Sequence, residues 1–449
     1  MYKKITAILL FLLVFSVSWS QTNDNIMTID QRTYKLWQEK NWKLLLTEGK
    51  DALDKGFDFY YLRLRMGIAS YEQKNYQRAI IHLEKAKKFN GQEEYLDEYL
   101  YYSYVFAGRP GEAKKLASGF NLPLKEKTGT NRKPIVSELS LYYNMDMNSD
   151  KTTTSDYSID IAHSKKGEQY IANNHHLIRL SLTHDISRGF SITHGYSFIN
   201  QHYFLFKQDS LRDTISDQVS NVHQYFITGN IRLAKNWYMG VGLHYVGVRY
   251  TLQQTGPGFG GRRGRSSKAT DSDISLFVNV KKMFPYVNAG GAFYYSTLNN
   301  DNQLQADIIL ETYPLGNLNL YTNSILSWQQ ENISGKATQR FILQQEIGGR
   351  IFKYLWMEGY GIFGNVHNFM SADGQIVYNN INTMKLKLGA RLIIPVNNRM
   401  KFNLGYGYSV NESVYIPEEP DEYIYNKTEY FNHSITGGFI WNFSKPSKY

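Results

Sequence analysis

The chain has 449 residues, a formal net charge of +10 and no cysteine, which excludes disulfides, thiolate metal sites and a lipid-modified N-terminal Cys. Its 36 Tyr, 24 Phe and 35 Gly favour strands and tight turns over helical bundles. Lys and Arg are dispersed along the chain, which argues against a nucleic-acid partner, because phosphate binding needs one contiguous basic face.

The N-terminus carries an address. Met1-Tyr2-Lys3-Lys4 is a positive n-region, 5-ITAILLFLLVFSV-17 an apolar h-region, and small residues follow in 18-SWSQ-21. This is a signal peptide over 1–20, cleaved after Ser20. The apolar run is too short to span a bilayer comfortably, and no later segment is long and apolar enough for a helical span.

Residues 21–122 read as helix pairs with an internal repeat. Ala52 and Ala86 are 34 residues apart, as are Ala79 and Ala113, and Trp37, Tyr71 and Val105 keep the same step. So do Asn41-Trp42, Asn75-Tyr76 and Arg109-Pro110. A 34-residue period is the tetratricopeptide length. Gly67, Ala79, Leu83 and Ala86 of 60-YYLRLRMGIASYEQKNYQRAIIHLEKAKKFN-90 sit where that repeat needs small or apolar residues, with Ala113 one unit later. This portion resembles the TPR family over about three units. Such a stack buries a shared core and leaves a groove for a protein segment. The patch 95-YLDEYLYYSYVF-106 is assigned mainly to core packing. The polar, turn-rich 123-PLKEKTGTNRK-133 reads as a linker.

From 134 to 443 the helical period gives way to alternation. In 400-MKFNLGYGYSV-410, Met400, Phe402, Leu404, Tyr406, Tyr408 and Val410 share one face, opposite Lys401, Asn403, Gly405, Gly407 and Ser409. In 381-INTMKLKLGARLIIPV-396, Met384, Leu386, Leu388, Ala390, Leu392 and Ile394 oppose Lys385, Lys387, Gly389 and Arg391. Short connections at 185–189, 234–236, 284–285, 314–317, 353–354 and 396–399 alternate with excursions near 201–218, 253–270, 298–303, 331–336, 369–380 and 411–428. Long strands joined alternately by tight turns and longer loops read as an outer-membrane barrel, oily outside and polar inside. Parity requires an even strand count if both chain ends lie in the periplasm. Fourteen strands are expected, with sixteen the alternative, and 155-SDYSIDIAHS-164 is assigned to an external excursion. The terminal strand ends on Phe439, Trp441 and Phe443, which resembles the aromatic signal read by barrel-assembly machinery. A polar tail, 444–449, follows it.

No catalytic set emerges, and neither a metal nor a cofactor is expected. His184 and His194 flank one hairpin without a spacing that ties them to Ser or to paired Asp. Asp146, Asn148 and Asp150 match the opening of a calcium loop, but Lys151 stands where Gly is needed and the terminal Glu is missing, so the segment reads as a solvated loop. Lys385, Lys387, Arg391, Lys401, Arg340, Glu346 and Arg350 are lumen-lining candidates. They would favour an anionic solute or glycan, or would pair among themselves and fill a narrow lumen. The basic loop 260-GGRRGRSSK-268 is a candidate contact for lipopolysaccharide, beside the outer-membrane lipid itself; a solvated loop is the plainer reading.

A secreted helical repeat ahead of a C-terminal barrel resembles the YaiO-like TPR–barrel family and, more distantly, the exopolysaccharide export porins, whose repeat arrays are much longer. The resemblance implies an α + β multidomain protein of the outer membrane, its N-terminal TPR α-solenoid docking a protein partner in the periplasm. It would serve envelope transport or assembly without catalysis, with a glycan conduit as the specific version. The alternatives are a non-conducting structural subunit of a secretion or assembly complex and an outer-membrane barrel hydrolase.

Overall fold

In the computed structural model, residues 25–90, 93–131, 134–149, 166–209, 212–254, 265–333, 336–417 and 427–443 are described. The segments expected to be an export signal (1–20), an external excursion (155–164) and a polar tail (444–449) lie outside them. The chain divides into two compact units, Met1–Tyr99 and Leu100–Tyr449.

The first unit is helical. Helices α1 (Ile26–Gln38), α2 (Trp42–Asp54), α3 (Tyr60–Glu72) and α4 (Tyr76–Phe89) form two antiparallel pairs, and α5 (Glu94–Phe106) with α6 (Pro110–Ala117) forms a third pair in sequence. Their starts recur at a 34-residue step, as do the turns. Lys40, Lys74 and Gly108 all take a left-handed backbone, with φ of 55°, 60° and 73°. The residue after each donates its N–H to a carbonyl five residues back, Leu36, Ser70 and Tyr104, at 2.8–2.9 Å. Asn41 and Asn75 then cap the next helix by accepting from Leu44 N and Arg78 N. Sequence periodicity thus reappears as repeated turn geometry, not only as repeated core positions.

Gly67 explains how closely the helices approach. A Cβ there would lie 2.6 Å from Leu83 side-chain atoms. Ala79, Leu83 and Ala86 are completely buried beside it, while Ile29, Leu45, Leu62, Met66 and Ala69 form a separate apolar cluster of the same unit. Within the second unit, Ala113 is buried, as are Leu100, Tyr101, Tyr102 and Tyr104 of the aromatic patch, which places those side chains in a core. The segment read as a linker opens instead with a short helix, α7 (Leu122–Thr128), capped by Asn121 and ended by Gly129 at φ 70°. Asn at the N-cap and Gly just past the end are standard helix boundaries, and here they outweigh the segment's polar composition.

Fourteen long antiparallel strands make the barrel: β1 (Val136–Asn148), β2 (Gly167–Asp185), β3 (Phe190–Asp209), β4 (Arg212–Ala234), β5 (Trp237–Gln254), β6 (Arg265–Met283), β7 (Val287–Ser296), β8 (Gln303–Thr312), β9 (Leu320–Ile333), β10 (Lys336–Phe352), β11 (Leu355–Val366), β14 (Thr383–Pro395), β15 (Met400–Val414) and β17 (Lys427–Asn442). Each pairs with its neighbours in order, and β1 pairs with both β2 and β17, so the sheet closes on itself. Short pieces β12 (Phe369–Ser371), β13 (Ile376–Tyr378) and β16 (Ile416–Pro417) lie in two of the longer connections. Two supposed excursions are strand instead. Residues 201–209 and 212–218 belong to β3 and β4, of 20 and 23 residues, and residues 331–333 and 336 belong to β9 and β10.

The alternation runs oily side out. Along β15, Phe402, Leu404 and Tyr406 are 44%, 54% and 51% exposed, whereas Asn403, Ser409 and Asn411 are buried. On β10, Phe341 and Ile347 are exposed while Ile342 is buried. A closed sheet with its apolar face outward is the architecture of an outer-membrane β-barrel, since closure leaves no unpaired amide edge in hydrocarbon. Among the described residues, no helix is long and apolar enough to cross a membrane.

Candidate lumenal site

The connection from β11 to β14, residues 367–382, folds into the barrel. Its two short strands β12 and β13 form a hairpin whose turn uses three consecutive left-handed residues: Ala372 (φ 51°), Asp373 (φ 52°) and Gly374 (φ 74°). Gly374 is needed for space as well, because a Cβ there would run into the ring of Phe277 on β6.

Side-chain amides of the barrel wall hold the hairpin backbone. Gln305 on β8 donates to Met370 O at 2.9 Å and accepts from Met370 N at 3.1 Å. Gln329 on β9 donates to Asn368 O at 2.8 Å, and the His244 ring on β5 bonds to Gly374 O at 2.8 Å. Carboxylates add charge. Asp373 accepts from Asn279 at 2.7 Å and Lys281 at 3.3 Å. Glu331, completely buried, meets Arg340, His367 at 3.1 Å and Asn368 at 2.6 Å.

The lumen is also partly apolar. Met370 and Val377 pack on Val222, Val246, Phe277 and Ile309, which point inward from the wall, and Phe369 packs on Ile342, Ile362, Val366 and Met384. Those wall residues would otherwise face water, so burying them under the hairpin holds it in place. The loop reaches the far wall, and we refer to it as the plug.

Beside the plug remains a cavity of about 520 Å³, bounded by β1–β3, β14, β15, β17 and the hairpin. Arg179 and Lys387 line it, together with Asp146, His175, Gln201 and Asn432. The His175 ring lies 3.2 Å from Asp146. Lys387 Nζ stands 5.9 Å from the ring centre of Tyr378 in the plug.

The lumen-lining candidates divide. Lys387 and Arg391 line the cavity, and Arg391 pairs with Glu358 and, at 3.4 Å, with Glu346. Arg340 pairs with Glu331 at the far rim. Arg350 turns to the carbonyls of Phe352 and Lys353 and over the Trp356 ring, capping the β10–β11 turn. Lys401 is exposed at the short-turn end beside Trp356 and Tyr321. Lys385 is not lumenal. A register shift between Met384 and Leu386 moves it to the outer rim, where it pairs with Glu412 and Glu429. The same shift turns Met384, expected on the oily exterior, into the lumenal apolar cluster. Of the two readings of the inward charges, ion pairing fits Arg340, Arg391 and Glu346.

His184 and His194 stack on the outer face with their Nε2 atoms 3.1 Å apart, and Tyr225 bonds the other side of His194 at 3.0 Å. No Ser or carboxylate joins them among the described residues. Asp146 and Asn148 lie within β1, not in a loop. Residues 260–264 of the basic loop lie outside the described residues. Among the described residues, no cluster of three or more His, Asp and Glu is placed to hold a metal.

One arrangement had no signature in the sequence. At the short-turn end, α6 and its N-cap Arg109 meet two barrel turns, β4–β5 and β2–β3. Arg109 donates to Asn236 at 2.6 Å, Glu112 accepts from Tyr238, and Lys114 meets Asp185 at 2.7 Å. Arg109 and Glu112, both nearly fully buried, also pair with each other at 3.1 Å.

No protein-family profile and no curated protein matches the sequence. Among solved structures, the barrel is similar to a Pseudomonas aeruginosa FadL homologue, at 10% identity and a TM-score of 0.42, covering 73% of this chain and 94% of that one. It is similar to the P. putida toluene transporter TodX at 7% identity and a TM-score of 0.42, covering 69% and 91%. A bacterial polysaccharide outer membrane secretin gives 9% identity and a TM-score of 0.34, covering 68% and 98%.

Proposed function

We propose that this protein is a gated outer-membrane conduit in envelope transport, closed in the state described here and opened by withdrawal of the plug. The observation that carries the reading is the way the plug is held. It is a short hairpin tied by individual side-chain hydrogen bonds and small apolar contacts to the wall, so it can leave without breaking the barrel ladder. The short-turn end and the helical repeats face the periplasm in this reading. The 34-residue recurrence of helices, caps and left-handed turns supports a TPR-like stack that docks a periplasmic protein. A glycan is the cargo class we favour, and no catalysis is part of the proposal.

Single-channel conductance in planar bilayers tests it. The full chain should be closed most of the time, and a variant with residues 369–378 replaced by a short Gly-Ser link should show a stable open pore. A plug-deleted barrel that stays closed sinks the conduit and leaves the second reading, a non-conducting scaffold subunit. The α6 contacts at the barrel turns favour that second reading, because they fix this one helix to the barrel, as a scaffold would need.

A further inference from the structure

Among the described residues, the cavity beside the plug holds two cations outside any ion pair and two acceptors without donors. Arg179 uses one nitrogen, Nε, to donate to Ser197 Oγ at 2.9 Å, and no carboxylate of the described residues pairs with it. Lys387 likewise forms no ion pair or hydrogen bond among them: the Tyr378 ring lies 5.9 Å away, and the Asp146 carboxylate acts on it only through space. This is not general in the lumen, since Arg391 on the same strand as Lys387 is matched by Glu358 and Glu346, and Lys281 by Glu311 and Asp373. The one carboxylate in the cavity lining, Asp146, is turned to His175.

The same lining contains two orphan acceptors. Asp146 Oδ1 and Asn432 Oδ1 are buried with no hydrogen-bond donor among the described residues, and the two residues are only 8% and 7% exposed. A buried acceptor left unpaired is unfavourable, and natural proteins rarely tolerate one without a ligand or water to satisfy it. A small inorganic anion would meet the cations and leave the acceptors unused. A neutral sugar would do the reverse. A hydroxylated anion serves both, and the cavity volume of about 520 Å³ lies within the usual range for small-molecule sites.

We propose that this cavity binds an acidic sugar: its carboxylate lies against Arg179 and Lys387, and its hydroxyls donate to Asp146 and Asn432. Tyr378 belongs to the plug, so the ligand is held between wall and gate. This deepens the conduit reading by naming its solute, yet binding can be measured without transport.

The test is calorimetric titration of the full-length protein in detergent with sodium D-glucuronate, its uncharged methyl ester, D-glucose and sodium sulfate. Saturable binding of glucuronate is expected, at least tenfold tighter than that of each of the other three. The R179Q/K387Q double variant should weaken it by tenfold or more while keeping the heat-dependent gel shift of a closed barrel. Equal binding of ester and acid, which needs no variant, overturns the proposal. So does equal binding of sulfate, or an unchanged affinity in a folded double variant. A plug-deleted barrel that conducts while glucuronate fails to bind removes this site and keeps the conduit; specific binding in a barrel that never conducts does the opposite.

Discussion

Gln305 on the barrel wall and Met370 in the plug exchange two hydrogen bonds, side-chain amide to peptide, at 2.9 and 3.1 Å. The glutamine does what a neighbouring strand would do, satisfying both main-chain groups of one residue inside the lumen. Met370 is 1% exposed, so no water replaces the partner if it goes. Gln305→Leu leaves two buried peptide groups unpaired, each worth about 1–3 kcal/mol. The expected result is faster hydrogen exchange at the Met370 amide and a rise of tenfold or more in channel open probability. Unchanged exchange would mean that the plug is held elsewhere.

Gly67 and Leu83 set the spacing of α3 and α4. With a Cβ at 2.6 Å from the leucine side chain, Gly67→Ala has to push the helices apart, at a cost of about 1–3 kcal/mol. Gly67→Val should cost more, since its branched side chain is also stiff in a helix. Hydrogen exchange across residues 60–89 in the full chain reads the effect locally; the barrel amides should not change.

His82 gives the helical unit an acid-sensitive point. Burial lowers its pKa, and the Arg63 guanidinium beside it lowers it further, to about 4 from the ordinary 6.5. Arg63 Nη1 lies 3.1 Å from the ring Nδ1, which therefore accepts and stays unprotonated. Because the folded value is depressed for a base, the unfolded chain binds the extra proton between pH 6.5 and 4. Stability is complete above about pH 6.5 and falls as pH drops to 4, by up to roughly 3 kcal/mol. Asp58, whose carboxyl the Arg63 hydrogen bond holds below its usual value, loses stability in the same direction but at lower pH. Local exchange in α4 measured across pH 4 to 7 should show the slope, and His82→Gln should flatten it.

Much of the barrel was legible because its outer wall must obey a period of two for as long as it sees lipid. Phe402, Leu404 and Tyr406 could be placed outside from the sequence, as could the six short turns and the count of fourteen. The site was less legible, for two physical reasons. A single bulge at Lys385 shifts parity, so Lys385 moves outward and Met384 inward; a bulge has no composition signal in a strand already rich in Lys and Leu. The plug was visible only as a polar excursion over 369–380. Its inward fold depends on Gln305, Gln329, His244 and Asn279, which come from four strands far away in the chain. Arg179, the other half of the cationic pair, was missed because its strand shows no charge clustering.

The α6 contacts predict a linked loss. Glu112 is 3% exposed and holds both Arg109 and the Tyr238 hydroxyl. Glu112→Ala strands a buried guanidinium, which typically costs about 3–5 kcal/mol. Tyr238→Phe removes only one hydrogen bond and should cost about 1 kcal/mol. Protease sensitivity of residues 107–120 in the intact protein should rank the two variants in that order. Equal sensitivity would show that α6 is held by its apolar side chains alone.

The lipid-facing assignment is tested by two adjacent residues of β15. Leu404 is 54% exposed on the outer wall, and Asn403 is 6% exposed on the inner one. Leu404→Arg places a cation against hydrocarbon near mid-strand, at a cost of about 2–4 kcal/mol for folding into a bilayer. Asn403 accepts no such penalty, because its side chain meets the Tyr142 hydroxyl at 3.0 Å within the lumen. Asn403→Ser should therefore cost about 1 kcal/mol, the worth of that single bond. In a water-soluble barrel the order reverses, since the arginine would be solvated and the buried amide would belong to a core. Urea titration of refolding into lipid vesicles gives both numbers in one experiment. A tolerated Leu404→Arg would mean that the apolar wall of this barrel does not face lipid, whatever the regularity of its pattern.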